Sequence, residues 1–273
     1  MEKSEIKKIV RENYANVAAR QSSCCGGSTC CGGPNATDIS KSIGYNDEEM
    51  AAVPDGANLG LGCGNPVALA SLKEGEVVVD LGSGAGFDAF LAASKVGQSG
   101  RVIGVDMTPE MLDRARQNAA RGGYENVDFR LGEIEHLPVA DGTANVIISN
   151  CVINLSPDKA AVFKEAFRVL KPGGRLFVSD IVLLKELPEA IRQSAASYVS
   201  CVAGALLKDE YIATIKEAGF GNVAILGEDI YPLEAITSDP AALQVVKELD
   251  MPEDRLLDAA NSVVSIKVAA IKS

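Results

Sequence analysis

The cysteines are the residues of this chain that say most about chemistry. Seven of them stand in 273 residues beside one histidine and no tryptophan. A mechanism resting on a histidine cluster is therefore disfavoured, and sulfur chemistry is the first expectation. Four are grouped as Cys24-Cys25-x4-Cys30-Cys31, while Cys63, Cys151 and Cys201 lie singly. An odd count leaves no closed disulfide framework. The paired spacing has no standard zinc form, so its plainest reading is a thiol-rich tail that scavenges soft metal.

A second chemical feature is Gly82-Ser83-Gly84-Ala85-Gly86, which follows the apolar run VVVDL and precedes the helical pattern FDAFLAASKV. Glycines there let the backbone turn tightly and approach a ligand at a helix N-terminus. The spacing is G-x-G-x-G rather than the G-x-G-x-x-G of dinucleotide binders, which disfavours a nicotinamide oxidoreductase, and Asp80 directs an anion toward the ligand. A cationic ligand fits better. Asp106, with Met107 beside it, ends the next apolar run, where a carboxylate can accept both hydroxyls of a ribose at about 1.5–3 kcal/mol each. Taken alone, the glycine run is also compatible with a plain packing turn.

These residues need elements to hold them. Residues 3–20 have the pattern of an amphipathic helix, and 21–45, with SSCCGGSTCCGGPNATD, is too rich in Gly, Ser and Cys for a regular element. Short β-branched runs then alternate with helical stretches: 77–81, 101–106, 127–131, 145–149 and 174–180. Thr108-Pro109-Glu110 opens one helix, and Lys171-Pro172-Gly173-Gly174 stops another over 158–170. Runs 222–231 and 262–272 suit an antiparallel pair, and 181–204 is long enough to be an insertion over one end of the sheet. The expected fold is α/β: a seven-stranded, mostly parallel sheet with an antiparallel C-terminal edge pair and a cap insertion. The expected division is an N-terminal helix and cysteine-rich segment over 1–45, a core over 46–180, and the insertion with the end of the sheet over 181–273.

Charge narrows the partners. With 26 Lys+Arg against 37 Asp+Glu the net charge is −11, which argues against binding a phosphate backbone. The N-terminus has no apolar signal core and no run of 18 apolar residues occurs, so neither export nor a membrane span is expected and the cytoplasm is the default location.

Residues 75–180, with VVDLGSGAG and Asp106, resemble the class I S-adenosylmethionine methyltransferases. The resemblance implies a Rossmann-like fold and S-adenosylmethionine as cofactor, bound around Asp80, Gly82, Ser83, Gly84, Asp106 and Met107. It also implies an adenine loop at Gly132-Glu133-Ile134-Glu135, with Ile134 against the ring and Glu135 near its amine. Ligands of open α/β sheets lie beyond the carboxyl ends of the strands, so Asn150 and Cys151 should face the transferable methyl group.

Three thiols converging from separate segments would make a soft trigonal site. His136, the one imidazole, lies beside the presumed adenine loop and reads as a surface residue, so a mixed His/Cys zinc site is disfavoured. Trivalent arsenic, which takes three thiolates and keeps a lone pair, fits better. With LGCGNP, DLGSGAGFD, NCVINL and SCVAGAL, the chain resembles the arsenite methyltransferases. That resemblance implies methyl transfer to arsenite or its thiol complexes bound by Cys63, Cys151 and Cys201. It further implies a fourth, redox cysteine in the N-terminal segment, Cys31 or Cys30, and a reductant of glutathione or thioredoxin type. The competing readings are a quinone-biosynthesis-type C- or O-methyltransferase, in which the cysteines are incidental, and a soft-metal-binding protein without turnover.

Overall fold

A computed structural model describes residues 2–19, 36–192, 198, 201–230 and 259–273. The apolar, β-branched runs form the sheet. Val77–Leu81 (β1), Arg101–Asp106 (β2), Val127–Leu131 (β3), Ala144–Asn150 (β4) and Leu170–Leu183 (β5) lie parallel to one another. Phe220–Ile230 (β6) and Val263–Lys272 (β7) complete seven strands in the order β3-β2-β1-β4-β5-β7-β6. β7 is antiparallel to both β5 and β6, so the C-terminal pair closes one edge as expected.

Helices cover both faces because successive strand residues point to opposite sides. On β4, Val146 and Ile148 enter a core with Phe90, Leu112 and Phe177, while Ile147 joins a second core with Phe163, Leu176 and Tyr211. Phe87–Val96 (α5) and Pro109–Gly122 (α6) supply the first core. Lys159–Val169 (α7) and Lys208–Glu217 (α9) supply the second. Full burial of a side chain such as Phe90 or Phe163 contributes roughly 1.5–3 kcal/mol. A third, smaller cluster gathers Val10, Leu155, Ile181, Leu183, Tyr198 and Val263 with Cys63 and Cys201. Val10 comes from the N-terminal helix Lys3–Ala19 (α1).

Four expectations need correction. Residues 36–42 are not irregular: Ala36–Ser42 is a helix (α2), and Ser40, Ile43 and Tyr45 are buried. Asp47–Ala51 (α3) follows, with a capping box between Asn46 and Glu49. The helix expected over 158–170 ends at Val169, and β5 begins at Leu170, pairing with Ala144 across a register shift. Its far end extends to Leu183, so residues 181–183 are strand paired with β7 rather than insertion. Thr108 occupies the cap position of α6 without capping it, because its hydroxyl turns to Asp106 instead. Pro66–Leu69 (α4) and Glu189–Arg192 (α8) complete the helices described. Cys24, Cys25, Cys30 and Cys31 lie outside the described residues, and no helix among those described is long and apolar enough to cross a membrane.

Candidate active site

The loop between β1 and α5 is built for close approach. Gly84 has φ +51°, and a Cβ there would meet nothing within 4 Å, so its backbone faces open space. Asp106 fixes the loop, one carboxylate oxygen accepting from the Gly84 N–H at 3.0 Å and the other from the Thr108 N–H at 2.8 Å. The Thr108 hydroxyl and the Met107 N–H also bond to this carboxylate, so a ligand hydroxyl would share its oxygens with these donors. Asp80 is 2% exposed; its Oδ2 and the buried Ser83 Oγ have no hydrogen-bond partner among the described residues. Burial, then the charges of Asp88 and Asp106, pushes the Asp80 carboxyl well above the usual carboxylate range. A loop surrounded by three carboxyl groups favours a positively charged ligand.

Beyond the end of β4, alongside Ser179 and Asp180 of β5, the scattered thiols come together. Cys63 and Cys201 are buried, and Cys151, half-buried, lies within hydrogen-bonding reach of both thiols. Cys201 Sγ also donates to the Cys151 carbonyl at 3.0 Å. Burial raises the Cys63 thiol above its ordinary value. Cys201 is raised further, by its hydrogen bond with Cys151 and then by burial. The three therefore rest as neutral thiols at neutral pH. Cys151 and Cys201 both adopt left-handed backbone, with φ of 55° and 65°. For residues with a Cβ this costs on the order of 1–3 kcal/mol each, and such conformations concentrate at functional sites.

Each thiol is held by the sheet. The Cys63 N–H donates to Asn150 Oδ1 at 3.0 Å, and Ser265 Oγ on β7 donates to the Cys63 carbonyl at 2.7 Å. Gly64 lies flat on β5: a Cβ there would run into the Ser179 side chain. The Cys151 N–H donates to the Ser179 carbonyl at 2.8 Å. Asn150 is the hub of this arrangement. Its Nδ2 donates to the Tyr45 hydroxyl at 2.9 Å, the Gly64 carbonyl at 2.8 Å and Asp88 Oδ2 at 3.0 Å, while the Tyr45 hydroxyl donates to Asp88 Oδ1 at 2.6 Å.

The other residues singled out from the sequence fall in several places. Asn150, expected at the cofactor, has its amide engaged by the Cys63 loop and by Tyr45 and Asp88, so it acts as a tie between loops. Glu135 is buried, accepting from Ser156 Oγ at 2.6 Å and lying 3.2 Å from Lys7 Nζ of α1. Those two partners hold its Oε1 toward α1. Ile134 packs into the core with Leu81 and Val105, and Met107 packs against the thiol cluster. His136 is exposed.

Several residues escaped the sequence reading. Asp180 is fully buried, accepting from Asn154 Nδ2 and the Tyr211 hydroxyl at 2.9 Å each. Burial raises its carboxyl to about 7. Lys159, lowered by burial to about 8, interacts with it. The available signal was an acidic residue at the carboxyl end of GRLFVSD, where open sheets place ligands. Tyr45 and Asp88 carried no comparable signal.

The comparisons with known proteins agree with this architecture. A family model described as a methyltransferase domain matches residues 72–219. The arsenite methyltransferase of Halobacterium salinarum is 50% identical over 233 residues, which is 82% of this chain and 60% of that protein. That of Aquipseudomonas alcaligenes is 46% identical over 166 residues, 58% of this chain and 47% of that protein. The crystal structure of an arsenic(III) S-adenosylmethionine methyltransferase from Chlamydomonas reinhardtii superposes with a TM-score of 0.61 at 33% identity, covering 88% of this chain and 73% of that one. The chain belongs to the arsenite methyltransferase family. It spans between 47% and 60% of the length of these two curated relatives.

Proposed function

We propose that the protein transfers methyl groups from S-adenosylmethionine to trivalent arsenic held by Cys63, Cys151 and Cys201. The observation that carries this reading is the meeting of three thiols, from segments up to 138 residues apart in number, beyond the carboxyl end of β4 and alongside β5. The donor site fits the cofactor: open backbone at Gly84, unpartnered Asp80 Oδ2 and Ser83 Oγ, and the Asp106 carboxylate beside the loop suit a ligand with a cationic centre and ribose hydroxyls. When bound, S-adenosylmethionine supplies an electrophilic methyl group. Asp106 takes the ribose hydroxyls, and the carboxyl groups around the glycine loop balance positive charge.

At the acceptor site the three neutral thiols exchange with the hydroxyls of arsenite. Each S–H proton leaves with a displaced hydroxide as water, so no separate base is needed. Three sulfur donors hold the arsenic lone pair toward the donor loop and exclude water. Such positioning can supply several kcal/mol of the barrier. Transfer of a methyl cation raises arsenic formally to the pentavalent state. Two thiols then give up two electrons and close a disulfide, which an external thiol reductant of glutathione or thioredoxin type reopens. Cys31, or its neighbour Cys30, is the proposed partner in that disulfide. The tie through Asn150 supports a common geometry for the donor and acceptor sites.

A quinone-type C- or O-methyltransferase accounts for the fold but leaves the converging thiols without a role. The test is incubation with arsenite, a thiol and methyl-labelled S-adenosylmethionine. Label on arsenic supports the reading, and label confined to other acceptors overturns it.

A further inference from the structure

A fourth donor stands beside the thiols. The sulfurs of Cys63 and Cys151 and a carboxylate oxygen of Asp180 all lie within 4.8 Å of one another. Asp180 Oδ1 accepts from Asn154 Nδ2 and the Ile181 N–H. Oδ2 takes the Tyr211 hydroxyl and has a second lone pair. Cys201 reaches Cys151 but is not a member of this mutually close set.

We propose that the pocket also binds a thiophilic divalent cation, Zn2+ or Cd2+, through Cys63, Cys151 and Asp180, and that this cation is a dead-end competitor of trivalent arsenic. The competition rests on the arsenite reading of the same thiols. Two thiolates and one carboxylate, with water in the fourth place, form a tetrahedral donor set of the open kind. Metal–sulfur bonds of about 2.3 Å put tetrahedral sulfurs about 3.8 Å apart, so the set closes by about an ångström or less.

Charge separates the two ligands. Trivalent arsenic is neutralised by three thiolates and leaves Asp180 balanced by Lys159. A dication bound by two thiolates and the Asp180 carboxylate carries one excess negative charge, and Lys159, which interacts with Asp180, cancels it. Binding breaks two S–H bonds and forms two sulfur–metal bonds and one oxygen–metal bond. Two protons, with the carboxyl proton where one is present, pass to the buffer, and no electrons move. A filled d shell offers no lone pair for methyl transfer, hence the dead end.

The two ligand sets differ by one residue each, which makes the test direct. The reduced full chain, with its four clustered cysteines changed to serine, is titrated with Cd2+ while the sulfur-to-metal charge-transfer absorbance and proton release are followed. One equivalent should bind. Asp180→Asn should weaken Cd2+ by about tenfold or more and leave arsenite binding in place. Cys201→Ser should do the reverse. Equal Cd2+ affinity in Asp180→Asn, or its loss in Cys201→Ser, overturns the proposal. Should Asp180→Asn fail to fold, cadmium NMR of the chain with all site residues intact reads the donor set: mixed sulfur and oxygen supports the assignment and sulfur alone refutes it. Arsenite methylation without Cd2+ binding in this pocket defeats this inference alone; Cd2+ binding without arsenite binding defeats the arsenite reading and the competition that rests on it, and leaves the cation site standing.

Discussion

Asn150 and Cys63, 87 residues apart in sequence, are joined by a hydrogen bond from the Cys63 N–H to Asn150 Oδ1 at 3.0 Å. The same amide binds the Gly64 carbonyl and Asp88, which lies in the first turn of the helix after the glycine loop. One side chain thus ties the first thiol loop to the donor loop. Asn150→Ala leaves several buried groups without partners, each at about 1–3 kcal/mol. The expected result is a melting temperature lower by several degrees and weaker arsenite binding. Calorimetry and arsenite titration check both, and an unchanged arsenite affinity would remove Asn150 from this role.

Gly64→Ala tests the same loop by sterics. The new Cβ meets the Ser179 side chain, and overpacking of this kind costs about 1–3 kcal/mol. Arsenite affinity should fall while S-adenosylhomocysteine binding is retained. Adding Ser179→Gly should restore the thiol site; failure to do so would mean that the contact is not the cause.

The thiols themselves give the largest effect. Cys151→Ser or Cys201→Ser removes one of three soft donors and should reduce arsenic methylation more than about 100-fold. S-adenosylhomocysteine binding should persist, measured by isothermal titration. Full activity in both variants would sink the arsenite reading.

Asp106→Asn keeps the size of the side chain but loses its charge and one acceptor. With charge-assisted hydrogen bonds contributing about 1.5–3 kcal/mol each, S-adenosylhomocysteine affinity should drop at least about tenfold, with arsenite binding little altered. Equal affinity would show that the carboxylate does not touch the ribose.

Asp88 gives a pH signature. Burial raises its carboxyl to about 6, against the pull of hydrogen bonds from Tyr45 and Asn150, whereas the unfolded value is about 3.9. Between these values the folded chain keeps a proton that the unfolded chain has lost. The stability linked to this group is therefore complete below about pH 4 and is lost as pH rises through 6. Urea unfolding should show Asp88→Asn gaining on the parent by on the order of 3 kcal/mol from about pH 4 to 7. A difference that stays constant with pH would refute the assignment.

The strands were legible because their signal is local. VVVDL, RVIGVD and VDFRL are apolar runs with clear ends, and β1, β2 and β3 occupy those residues. The position of Cys151 also followed locally, from its place just after β4. α2 was not legible, since seven residues beside a Gly- and Cys-rich stretch have too short a pattern to read, and its neighbour Tyr45 is held by contacts with α5 and Asn150.

By itself the sequence determined the order of strands and helices, the glycine loop with its acids, and the presence of three separate thiols, because hydrophobic period, turn residues and residue type are properties of neighbours along the chain. Only the tertiary structure decided that Cys63, Cys151 and Cys201 meet, that Asn150 serves as a tie, that Glu135 pairs with Ser156 and Lys7, and that Asp180 stands beside the thiols. Those relationships join residues tens to hundreds of positions apart. Their donors and acceptors are matched by packing of the sheet and its covering helices, and no local pattern records that match.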